Sequence, residues 1–82
     1  MSSVQRVAGE RLVAFSDGKR VLPGSPSYRK LNRWHRKGYR LGVGLEPDEP
    51  PIVLEAMRIG STLYTSHEAF ERFLVAINRR RQ

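Results

Sequence analysis

The chain has 82 residues, enough for one small domain with one modest core. Its 15 Lys+Arg against 8 Asp+Glu give a formal net charge of +7, and this balance points to a polyanionic partner. The absence of cysteine excludes disulfides and thiolate metal sites, no apolar run approaches the ~18 residues of a membrane span, and "MSSVQRVAGE" lacks the apolar centre of a secretory signal, so the expected compartment is the cytoplasm.

In chain order, residues 1–11 are polar with scattered valines and no clear period, and are expected to form a flexible N-terminal arm. The folded domain is expected over 12–78, followed by a basic tail at 79–82. "FSDGKRVLPG" predicts a first short helix, with Ser16 as N-cap, Asp17 where the helix N-terminus favours negative charge, and Pro23-Gly24 as the stop. Gly18 weakens a helix this short.

"SPSYRKLNRWHRKG" predicts a second helix, capped by Ser27, begun by Tyr28 and closed at Gly38. At about 100° per residue, Tyr28, Leu31, Trp34 and His35 share one side, and Arg29, Lys30, Arg33, Arg36 and Lys37 take the other. The run from Arg29 to Arg40 contains six cations and no acid. Trp34 and Leu31 are expected to pin the helix to the core while the basic side looks outward.

The segment "GYRLGVGLEPDEPPIVLEAMRIGSTLYTS" changes rhythm. "YRLGVGLE" alternates imperfectly, as a strand would, and the acidic, proline-rich "EPDEPP" reads as an exposed loop. "IVLEAMRI", the Gly60-Ser61 turn signal and "TLYT" predict a β-hairpin. Last, "TSHEAFERFLVAINRRRQ" predicts a helix opened by a Thr65/Glu68 capping box, with Phe70, Phe73, Leu74 and Ile77 as its core stripe. Arg79, Arg80 and Arg81 read as a solvated basic end.

Catalytic chemistry finds no footing. The two histidines, His35 and His67, have no partner at metal-ligand spacing. No serine sits in a nucleophile motif, and no glycine-rich phosphate loop is present. A non-enzymatic protein with no cofactor, no metal and no small-molecule ligand is expected.

Two helices joined by a tight turn, then a hairpin, then a closing helix is the order of a winged helix-turn-helix, an α+β fold. "LPGSPSYRKLNRWHRKGYR" followed by "LEAMRIGSTLYTSHEAFERFL" resembles the excisionase-type and MerR-like winged DNA-binding domains. The likeness is greatest to a family of small uncharacterised bacterial proteins with the same pattern. It spans roughly residues 12–77. It departs at Gly18 and Lys19, where small alanines are usual, at the long "EPDEPP" insert, and at Gly60-Ser61, where a double glycine is more usual.

The resemblance implies sequence-specific binding of double-stranded DNA, as a recombination directionality factor or a small transcription regulator. Its partners would be a recombinase, another protein, or further copies of itself on tandem sites. By charge and shape, Arg29, Lys30 and Arg33 are expected to face the major groove. Ser27, Asn32, Arg36, Lys37 and Arg40 are expected on phosphates. Arg58, Ser61 and Thr62 of the wing are expected at the backbone or minor groove. Glu46, Asp48 and Glu49 should face away from DNA. Two rivals use the same cations: an RNA-binding or ribosome-associated protein, and an adaptor for an acidic protein partner.

Overall fold

The computed structural model describes residues 3–39 and 50–81. They form helix α1 (Ser3–Ala8), strand β1 (Leu12–Ala14), a 3-10 turn (Phe15–Asp17) running into helix α2 (Gly18–Val21), helix α3 (Tyr28–Arg36), strands β2 (Met57–Ile59) and β3 (Thr62–Ser66), and helix α4 (His67–Arg81). The fold is α+β, with helices around a three-stranded antiparallel sheet of order β1-β3-β2.

The expected hairpin is present. Gly60-Ser61 joins Ile59 to its partner Thr62. Only the first of these two turn residues has positive φ, Gly60 at 62°, as in a type II′ hairpin turn. The first strand is shorter than "IVLEAMRI" suggests, because residues 53–56 are not in the sheet. The Leu54 N–H bonds the Trp34 carbonyl at 3.1 Å instead, and the Leu54 carbonyl faces His35. These backbone groups are satisfied by α3 rather than by a strand partner. "YRLGVGLE" lies almost wholly outside the described residues; its Tyr39 makes an isolated antiparallel bridge with Ile52.

Strand β1 was not expected. Its three residues are too few to display alternation, and its partner β3 lies some fifty residues on, with Val13 opposite Thr65. The helix expected from Ser16 begins instead as a 3-10 turn, and Ser16 caps nothing. Phe15, 1% exposed, turns into the core at that point. Asp17 pairs with Arg20.

Residues 3–11 are not a free arm. Val7 is fully buried, Glu10 is held by Arg72 and Ser66, and Arg11 is bonded to Glu68. The valines of this segment showed no period because a six-residue helix makes fewer than two turns.

The cap of α4 is displaced by one residue from the expected box. Ser66 Oγ accepts from the Ala69 N–H at 2.8 Å. Thr65 sits in the central strand, fully buried, and donates its hydroxyl to the Glu55 carbonyl at 2.8 Å. Glu68 accepts from the backbone N–H and guanidinium of Arg11. The expected stripe packs inward, with Phe70, Phe73 and Ile77 buried and Leu74 against them. The helix continues through Arg81, so residues 79–81 are helical rather than a tail, and Arg80 donates to the Pro50 carbonyl. None of the described helices is long and apolar enough to cross a membrane.

Candidate nucleic-acid interface

The basic segment becomes α3 for local reasons. Ser27 holds extended backbone (φ −74°, ψ 164°), and its Oγ accepts from the Lys30 N–H at 3.2 Å. At the other end the N–H groups of Lys37 and Gly38 both reach the Arg33 carbonyl, at 2.8 and 3.2 Å. Gly38 has φ +82°, and a Cβ there would lie 2.7 Å from Pro51 Cβ. Only glycine meets both demands.

Three side chains fasten α3 to the body. Leu31 is fully buried. Trp34 is half-buried, with its ring centroid 5.2 Å from Phe73, 6.4 Å from Phe70 and 6.4 Å from Tyr39. It is an anchor, as its alignment with Leu31 suggested. His35 Nδ1 lies 3.0 Å from the Leu54 carbonyl oxygen, which makes that nitrogen the N–H donor. Tyr28 is 50% exposed and meets Phe15 edge-on.

The opposite face is a stripe. Arg29, Asn32, Arg33 and Arg36 recur at i, i+3, i+4 and i+7, and Lys37 follows. Together these five line an open hollow of about 290 Å³. The four cations are exposed and Asn32 is half-buried between them. Lys30 is exposed but does not line the hollow, because it stands about 100° round the helix from Arg29.

Charge sharpens the contrast between this face and the rest. Glu10 and Glu55 converge on Arg72, whose Nη2 donates to Glu10 at 3.0 Å and whose Nε donates to Glu55 at 2.7 Å. Those bonds hold the Glu10 carboxyl below its ordinary pKa and push the Arg72 guanidinium up. Arg6 also pairs with Glu55, at 3.4 Å. Glu68 pairs with Arg11 and Asp17 with Arg20. Among the described residues, no acid pairs with Arg29, Lys30, Arg33, Arg36 or Lys37. Among the described residues, the cations of α3 therefore present positive charge that no acid pairs with, while Arg6, Arg11, Arg20 and Arg72 are engaged with acids.

Of the other expected contact residues, Ser27 is the cap of α3. Arg58, Ser61 and Thr62 are exposed at the hairpin and form a group apart from the α3 hollow. Arg40 lies outside the described residues, as do Glu46, Asp48 and Glu49. A further exposed cation stands near α3. Lys19 is exposed on α2, which packs on α3. It lies between Gly18, which the short helix buries, and Leu22, the buried residue that follows the helix.

Among the described residues, no three His, Asp or Glu side chains gather as a metal site. Compared with protein-family models, with curated proteins and with solved structures, the chain gives no match.

Proposed function

We propose that this chain is a winged helix-turn-helix module that binds double-stranded DNA with sequence preference, with α3 in the major groove. The observation that carries the reading is the α3 stripe: Arg29, Arg33, Arg36 and Lys37 exposed in line, without an acid partner among the described residues. The element order supports it. Helix α1, strand β1, the 3-10 turn into α2, helix α3, the β2–β3 hairpin and helix α4 follow in that order, with β1 paired to β3 beside the hairpin, an order compatible with a wing.

A B-DNA major groove admits one α-helix, and the first turns of a docked helix meet base edges. Arg29, Lys30 and Arg33 belong to those turns. Each arginine offers a bidentate contact to guanine, worth about 1–3 kcal/mol of discrimination. Asn32, Arg36 and Lys37 grip phosphates, and Lys19 on α2 joins them where the first helix of such a motif crosses the backbone. Ser27 keeps its hydroxyl hydrogen for a phosphate while its oxygen caps α3. Arg58, Ser61 and Thr62 lie along the backbone or minor groove. The role is non-catalytic and cytoplasmic, as an excisionase-like directionality factor or a small transcription regulator.

Selection of bound sites from random duplex DNA, repeated with two variants, tests the docking. Arg33→Ala should relax preference at one or two base positions, whereas Arg58→Ala should weaken all sequences about equally. The reverse pattern would make the hairpin the reader. Stronger retention by duplex RNA, or by an acidic protein at matched salt, would replace the DNA reading with one of its rivals.

A further inference from the structure

A second open groove lies away from α3. It runs along the outward face of α4, about 670 Å³, lined by residues that include Glu68, Glu71, Val75, Ala76 and Arg79. Val75 stands at the centre of this face, 43% exposed, on the side of α4 opposite Phe73 and Ile77. A β-branched apolar residue is a poor choice for the solvent side of a helix on propensity alone.

Glu71 and Arg79 flank Val75 four residues before and four after, so the three form one i±4 ridge. Their charges are opposite, and each lies about 6 Å along the axis from Val75. They are too far apart to pair with each other. Neither has an ionic or hydrogen-bonded partner among the described residues. The other described acids each have a cation: Glu10 and Glu55 on Arg72, Glu68 on Arg11, and Asp17 on Arg20.

A ridge with an acid at one end, a base at the other and an apolar centre is complementary to itself when reversed. We infer that α4 is a self-association surface, on which a second copy of this chain packs its own α4 antiparallel, with the two-fold axis at Val75. The two i±4 ridges run parallel when the helices cross at about −50°, the commonest packing class. The two-fold axis then sets Glu71 level with Arg79 of the partner subunit, and Arg79 level with Glu71 of the partner subunit. Two ion pairs bracket a Val75–Val75 contact, which is an isologous interface.

The apolar patch is small, so the dimer is weak and depends on salt. This inference does not rest on the DNA reading, because it concerns the free protein. A weak contact of this kind would nevertheless reinforce binding to adjacent sites, through the effective concentration of two copies held on one duplex.

The test uses sedimentation velocity on the full chain at low salt over a wide concentration range. The parent should rise with concentration from its 9.4 kDa monomer mass toward twice that value. Glu71→Arg and Arg79→Glu should each stay monomeric. An equimolar mixture of these two variants should associate again, because every facing pair is then opposite in charge. The double variant Glu71→Arg/Arg79→Glu should associate like the parent. Circular-dichroism melts confirm that each variant is folded; both altered side chains are exposed. A parent that stays monomeric throughout would overturn the proposal. So would single variants that still associate, or a mixture that does not recover.

Discussion

Replacing Gly18 by alanine sets helix propensity against packing, and the two predict opposite signs. Gly18 holds ordinary helical backbone (φ −56°, ψ −39°). On propensity alone, alanine would stabilise by about 0.8–1.0 kcal/mol. The surroundings do not allow it. A Cβ at Gly18 would lie 2.5 Å from Leu31 Cδ1 and 3.0 Å from the Pro26 carbonyl oxygen. Leu31 is fully buried, so it cannot swing aside without displacing α3 or the core. With backbone on one side and a packed side chain on the other, the cost belongs in the upper half of the ~1–3 kcal/mol range for overpacking. After the propensity gain, a net loss of about 1–2 kcal/mol remains. In a domain of this size each kcal/mol lowers the melting temperature by about 4–8 °C. A thermal melt followed by circular dichroism should therefore show Gly18→Ala falling by several degrees. In a Leu31→Ala background the penalty should shrink, because the opposing methyl is gone and only the contact with the Pro26 carbonyl oxygen remains. A Gly18→Ala protein that melts at or above the parent would refute the reasoning, as would a penalty that persists unchanged in the Leu31→Ala background.

Trp34→Ala should cost about 3 kcal/mol, at the low end for a large aromatic because the ring is only half-buried, and a thermal melt measures it. If that variant melts like the parent yet loses duplex DNA, Trp34 is a contact residue rather than an anchor. With Lys19, Arg36, Lys37 and Arg58 each on a phosphate, the logarithm of affinity should fall with the logarithm of salt at a slope near −3.6, about 150-fold between 50 and 200 mM. A titration with a flat response would remove the DNA reading. The Glu10 carboxyl titrates below its ordinary value of 4.5, chiefly through the hydrogen bonds from Arg72. Its contribution is therefore complete above about pH 4.5 and is lost as pH falls through the lowered folded value. Denaturant melts between pH 3 and 6 should show this dependence, and Glu10→Gln should flatten it.

Several features were legible in the sequence because they depend on neighbours along the chain. Ser27 caps and Gly38 closes α3 because both act within one helical turn. The division of α3 into a side with Leu31 and Trp34 and a side with Arg29, Arg33 and Arg36 follows from the 3.6-residue period. The inward stripe of α4 and the Gly60-Ser61 turn are equally local. Net charge and the acid-free run suggested a polyanionic partner before any fold was known.

What only the tertiary structure decided involves partners far apart in the chain. Ser66 rather than Thr65 caps α4, because β3 carries Thr65 into the sheet to meet the Glu55 carbonyl. Both residues suit an N-cap, and only the length of the strand chooses between them. The N-terminal residues belong to the body because Glu10 meets Arg72, 62 positions away. Strand β1 exists because β3 supplies its hydrogen bonds, not because Leu12–Ala14 has a pattern of its own. Gly18, a weak helix former by local rules, is where Leu31 of α3 leaves no room for a Cβ on α2. Among the described residues, the outward cations of α3 have no acid partner for the same kind of reason. Folding draws Glu10, Asp17, Glu55 and Glu68 onto arginines elsewhere. The sequence counts every charge, and only the packing decides which of them are cancelled.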